Sequence, residues 1–270
     1  MSATDIFYNH ATSIVPIGWA YRREVDKLDI PREMLIEGGR KGQPINVFPC
    51  ATAFLLTIDE NKTRFVTANH AFPDSQQDKA EICVLVPDYF KCPFEVSPDD
   101  IKAYLGVTEY MRLESQDICI FEADTPEALY IQHPTPLPLS FDFKVGDEVC
   151  TIGYPFIGYE GRVTDGRRDF RFVERLTCAH LSAIWPDIDS LTLEFDNYVG
   201  PGNSGGPLIS IRTGGVIGVV TWSRLEGQHH SGTTFSHATC IAALNEAKGK
   251  FTDLPEIGPS PSVLQDKRND

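Results

Sequence analysis

From residue 46 to residue 237, short apolar runs alternate with polar breaks, and few runs are long enough for a helix. ATAFLLTI and RFVTANH flank the polar turn DENK and predict a β-hairpin. AEICVLVP, DICIFEA, DEVCTIGYP, RFVERLTCAHLSAI, SLTLEFD, GPLISI, GVIGVVTW and GTTFSHA predict further strands. Leu191, Leu193 and Phe195 alternate with polar neighbours, as a half-buried strand requires. RTGG (Arg212 to Gly215) supplies a turn between two apolar runs. Many short strands with glycine-rich turns predict an all-β sandwich or barrel. Residues 1–45 carry mixed polar and helical patterns and are expected as an N-terminal extension packed on the core, which spans 46–250. His237 to Lys250 predicts a C-terminal helix, and the Pro-rich polar stretch 251–270 predicts a flexible tail.

Composition narrows the function classes. The 270 residues are 41% hydrophobic, enough for one large domain with a sizeable core. A net charge of −14 opposes nucleic-acid binding, because phosphates need clustered Lys and Arg. No run of 18 apolar residues predicts a membrane span. The first residues do not read as a secretory signal. Seven cysteines, odd in number and scattered, argue against a disulfide framework; several lie in apolar runs as small buried hydrophobes. A cytoplasmic location is therefore expected. With no CxxC pair, a zinc site lacks support, and neither a metal nor an organic cofactor is expected. His229 and His230 are taken as part of a solvated loop.

The segment YVGPGNSGGPLIS, Tyr198 to Ser210, sets Gly200, Pro201, Gly202, Gly205 and Gly206 around Ser204. Gly202-Asn203-Ser204-Gly205-Gly206 fits G-x-S-x-G, the nucleophile elbow, which needs a helix after the serine and the order Ser, Asp, His. Here Gly206 and Pro207 oppose a helix and a strand-like run follows, so the elbow fails on context. The other order is His, Asp, Ser: His70 ends an apolar run, Asp117 precedes another, and Ser204 follows. Asp124 lies close enough to Asp117 to compete for the middle role. Cys119, two residues after Asp117, is expected on the same strand face as buried filler rather than as a redox switch.

As an ordered set these boxes resemble the trypsin-like serine proteases. VTANH is similar to their Leu-Thr-Ala-Ala-His box, QDICIF to their Asp-Ile-Ala-Leu-Leu strand, and GNSGGPLIS to their Gly-Asp-Ser-Gly-Gly-Pro box. GDEVCTIGYP and DNYVGPGNSGGPL look closer to the bacterial Deg-type branch, although no PDZ-like domain is expected after the barrel. The resemblance covers about residues 46 to 250 and implies a chymotrypsin-like double β-barrel with the triad in the cleft between barrels. It implies that His70 deprotonates Ser204, that Asp117 holds the imidazole, and that the N–H groups of Gly202 and Ser204 face the oxyanion. It also implies a primary pocket lined near Tyr198, Thr221, Trp222, Ser223 and Thr234, with a regulatory loop at Phe156 to Phe170.

Departures from the pattern refine the expectation. Asn203 stands where secreted members have Asp, so it cannot pair with a new N-terminus and activation by clipping is not expected. Ala71 stands where a disulfide cysteine usually follows the histidine. With Tyr198 six residues before the serine and Asp196 assigned a structural role, a small or apolar side chain is expected in the pocket. The reading is a serine endopeptidase acting on a protein or peptide substrate, with room for an activating or regulatory protein partner. The alternative is a catalytically silent or partner-activated protease-fold binding module.

Overall fold

The computed structural model describes residues 1–21, 36–40, 43–72, 80–87, 95–96, 101–125, 134–155, 162–164, 167–169, 172–186, 190–221, 235–251 and 254–255. Helix α1 (Ala3–His10) opens the chain. Ser2 and Asp5 form its capping box: the Ser2 hydroxyl accepts the Asp5 N–H at 3.1 Å, and the Asp5 carboxylate accepts the Ser2 N–H at 2.9 Å.

The first barrel is built from β1 (Ile14–Tyr21), β2 (Ile36–Arg40), β3 (Gln43–Ile58), β4 (Lys62–Ala68), β5 (Ala80–Pro87), β7 (Ile101–Leu113) and β8 (Ile118–Asp124), with the short β6 (Glu95–Val96) outside it. Its order is β1-β5-β7-β8-β4-β3-β2, and β1 also pairs with β3, which closes six strands and leaves β2 on the edge. The second barrel is β9 (Glu148–Gly153), β13 (Arg175–Pro186), β14 (Leu191–Phe195), β15 (Pro207–Ser210), β16 (Val216–Thr221) and β17 (Ser236–Cys240), closed in the order β13-β14-β17-β16-β15-β9. Between β9 and β13, β10 (Arg162–Thr164) and β11 (Arg167–Asp169) make a hairpin within the expected regulatory loop, and β12 (Phe172–Val173) pairs with β6. This is the chymotrypsin-like double barrel that the motifs imply. Among the described residues, no helix is long and apolar enough to cross a membrane.

Each strand between the barrels serves two cores, which explains the near-continuous apolar runs. On β3, Ala51, Ala53 and Leu55 enter the first barrel's interior, while Phe54 and Leu56 join a cluster shared with Ile152, Ile209 and Val219 of the second barrel. On β8, Cys119, Phe121 and Ala123 face the barrel interior, and Ile118 and Ile120 face the shared cluster. Ile6 of α1 enters the shared cluster too. Each buried Leu, Ile or Phe among them contributes about 1.5–3 kcal/mol.

Four elements differ from the sequence reading. Residues 14–21 and 36–40, inside the expected extension, are hydrogen-bonded as β1, between β3 and β5, and as β2, on the edge beside β3. β7 runs through Ile101–Leu113, where the sequence reading names no strand; residues 108–110 are exposed and a bulge between Val107 and Glu109 interrupts its alternation. The C-terminal helix begins at Ile241, because Ser236–Cys240 is hydrogen-bonded as β17 between β14 and β16. It is a 3₁₀ helix, Ile241–Gly249, with Ile241, Leu244 and Ala247 buried at the three-residue period of that geometry.

Candidate active site

β4 ends in a short turn, Asn69–Ala71, that carries His70. Its antiparallel partner β8 starts opposite, with Ala68 facing Ile118, so the residue before β8 meets the residues after β4. That residue is Asp117, held at φ +53, a left-handed conformation in which Asp is among the few side chains tolerated. Three contacts fix the junction. The Asp117 carbonyl accepts the Asn69 N–H at 2.9 Å, one carboxylate oxygen accepts the His70 N–H at 2.9 Å, and the other lies 2.7 Å from His70 Nδ1. An ionised carboxylate only accepts, so in neutral His70 the proton sits on Nδ1 and Nε2 keeps its lone pair.

Asp124, the competing aspartate, lies at the far end of β8 and pairs with Lys62 at 2.9 Å. Because Asp117 sits in the turn rather than in β8, strand periodicity does not place Cys119 on its face, a correction to the sequence reading. Cys119 is fully buried in the first barrel, and burial pushes its thiol up to about 12.

Ser204 comes from the second barrel, on the loop before β15. Backbone bonds define this loop: Gly205 N–H to Val220 O at 2.7 Å, Val220 N–H to Gly206 O at 2.8 Å, and Gly206 N–H to Asn203 O at 2.8 Å. The Asn203 amide donates to Gly200 O at 3.0 Å, so this neutral side chain braces the loop internally. Gly202 (φ +95) and Gly205 (φ +85) adopt backbone that other residues rarely take. A Cβ on Gly205 would collide with Thr67 and with the Thr52 carbonyl, and would stand 2.7 Å from Ala68 N. The Ser204 loop thus lies against the end of β4, two residues before His70. Among the described residues the N–H groups of Gly202 and Ser204 have no hydrogen-bond acceptor, and no hydrogen bond links Ser204 to His70. Apo geometry of this kind often tightens only with substrate bound. Ser204 is buried, whereas the His70 and Asp117 side chains are 43% and 31% exposed, open to an incoming chain.

The expected pocket residues are only partly described. Tyr198 is half exposed and its N–H donates to the Asn197 side chain at 2.8 Å. Thr221 is buried at the end of β16 opposite His237. Trp222, Ser223, Thr234, His229 and His230 lie outside the described residues. Asp196 is engaged as expected: its carboxylate accepts the His180 N–H at 2.6 Å and lies 3.4 Å from His180 Nδ1. Sequence reasoning missed Ser236, whose hydroxyl accepts the Val199 N–H at 3.0 Å, and Thr52, which touches the serine loop twice. The run ATAFLLTI holds two threonines, Thr52 and Thr57, so polarity alone does not single out Thr52. Among the described residues, no group of three His, Cys, Asp or Glu is arranged to hold a metal.

Comparison with known proteins agrees with this architecture. The family model for the trypsin-like peptidase domain matches residues 51–219. The chain belongs to the trypsin-like peptidase domain family. Its fold is similar to the HtrA-type protease AlgW solved with a decapeptide, at TM-score 0.58 and 16% identity, covering 94% of this chain and 68% of that one. It is also similar to Rv3671c from M. tuberculosis, solved as a serine-to-alanine mutant in an inactive form, at TM-score 0.52 and 18% identity, covering 94% and 93%. Comparison with curated proteins gave no match.

Proposed function

We propose that this chain is a serine endopeptidase that hydrolyses peptide bonds of a protein or peptide substrate through an acyl-enzyme. The observation that carries the reading is the two-point grip of Asp117 on His70, with Nδ1 2.7 Å from the carboxylate. It leaves Nε2 free to accept the Ser204 proton as the hydroxyl oxygen attacks the carbonyl carbon. The resulting oxyanion is met by the unengaged N–H groups of Gly202 and Ser204. Collapse expels the amine, which takes the proton from His70; water, deprotonated by the same imidazole, then releases the acid and restores Ser204. No metal or organic cofactor is part of this sequence. With Asp196 held by His180, the pocket is proposed to favour small or apolar side chains. The six described cysteines are free, which supports a reducing, cytoplasmic setting.

The test is a peptide-library cleavage profile of the wild type beside Ser204→Ala. Cleavage confined to the wild type, with a defined residue before the scissile bond, is the expected result. Equal profiles for both proteins refute the reading. Cleavage that requires added cell lysate points to a partner-activated form.

A further inference from the structure

Thr52 lies fully buried in β3, at a position where its apolar neighbours Ala51, Ala53 and Phe54 fill cores. Burying a hydroxyl there is unfavourable unless it is hydrogen-bonded. Every polar group of Thr52 is engaged, most of them across the barrel interface. Its N–H donates to Ser204 O at 2.9 Å, and its carbonyl accepts the Thr67 hydroxyl at 2.7 Å. Its Oγ1 accepts the Tyr154 N–H at 3.0 Å and lies 2.7 Å from Gly202 O. A backbone N–H can only donate and a carbonyl can only accept, so the single hydroxyl proton points at Gly202 O.

We propose that Thr52 is a positioning residue that locks the oxyanion loop in its working orientation from the opposite barrel. This deepens the serine endopeptidase reading and rests on it. The Thr52 hydroxyl holds the carbonyl of Gly202, and the Thr52 N–H holds the carbonyl of Ser204. The one peptide between those held units, Asn203–Ser204, carries the N–H of Ser204, one of the two oxyanion donors. The other donor is the N–H of Gly202 itself. A peptide beside glycine rotates more freely than any other, because no Cβ restricts it. Without the Thr52 hydroxyl, the Gly202–Asn203 peptide keeps only the Asn203 N–H to Gly200 O contact at 3.3 Å, and the donors lose their common direction. The same hydroxyl ties in Tyr154, directly after β9, so one side chain joins three segments that converge on the loop.

The experiment compares wild type, Ser204→Ala, Thr52→Ser, Thr52→Ala and Thr52→Val on one cleaved peptide, with inhibition by a peptide boronate that places an oxygen in the hole. Thr52→Ser and Thr52→Ala differ by the hydroxyl alone, and Thr52→Val keeps the wild-type shape should Ala not fold. Thr52→Ser is expected to keep kcat within about threefold. Thr52→Ala and Thr52→Val are expected to lose about 10²-fold in kcat, at the lower end of the loss for deleting one oxyanion donor. KM should stay within about threefold, and boronate affinity should fall in step with kcat. Folded Ala or Val variants that keep wild-type kcat, or a Ser variant as impaired as Ala, overturn the role of Thr52 while leaving the peptidase reading intact. A wild type as inactive as Ser204→Ala overturns both.

Discussion

Replacing Asp117 by Asn tests the His70 junction with little change in shape. Asn tolerates the left-handed backbone at φ +53, and its carbonyl oxygen still accepts the His70 N–H now held at 2.9 Å. The second carboxylate oxygen, 2.7 Å from Nδ1, becomes an NH₂ group. Two donors cannot face each other, so the ring shifts its proton to Nε2, the nitrogen proposed to accept the Ser204 proton. Restoring the working tautomer breaks that new bond and leaves donors unpaired, at about 2–4 kcal/mol. The lost carboxylate also no longer stabilises the imidazolium. Unit charges 4 Å apart interact by about 4 kcal/mol at an effective dielectric of 20, and the 31% exposure of Asp117 reduces this to about 2 kcal/mol. Together these give about 4–6 kcal/mol, or a loss of about 10³–10⁴ in rate. The assay is kcat/KM on a cleaved peptide, with thermal unfolding alongside. Asp117→Asn should melt within a few degrees of the wild type while turnover collapses. A loss below tenfold in a folded variant means that Asp117 does not orient the base.

Three further outcomes follow from particular contacts. Gly205→Ala combines a left-handed residue with a Cβ pressed into Thr67, Thr52 and Ala68, so it should destabilise by about 2–5 kcal/mol and lower the melting temperature by about 5–15 °C; a fall below 2 °C contradicts the packing. Glu174 is buried with both carboxylate oxygens unpartnered among the described residues, and burial raises its pKa well above the usual range. The native state therefore holds this proton after the unfolded chain has released it, so the contribution present below about pH 4.5 is lost as pH rises toward the folded value. The stability of Glu174→Gln relative to wild type should improve from pH 5 to pH 8 in thermal melts, and a constant difference refutes the assignment. Native-state alkylation should label Cys178 and spare Cys119 and Cys150, because both buried thiols are pushed up to about 12; prompt labelling of either contradicts that burial.

The second barrel was the more legible half. Runs such as SLTLEFD and GVIGVVTW supply the single strands β14 and β16, and RTGG makes the turn between β15 and β16. β1 and β7 were illegible for physical reasons. β1 holds Pro16 and Gly18 and a bulge after Ile17, and is stabilised by distant partners on β3 and β5 rather than by local preference. On β7, Thr108, Glu109 and Tyr110 are exposed in succession beside a bulge, so no alternation marks the strand. His70, Asp117 and Ser204 could be selected because their boxes are short and ordered along the chain. Thr52 could not, because its contacts join residues 150 and 102 positions away, and no local pattern encodes such a pairing.

The central claim is that Ser204 is a nucleophile activated by His70. Its most direct test is a fluorophosphonate probe followed by intact mass and peptide mapping of the folded wild type, Ser204→Ala and His70→Ala. One adduct on Ser204 in the wild type, with none in either variant, is the predicted result. A folded wild type that remains unmodified with and without cell lysate, or an adduct on another residue, contradicts the account.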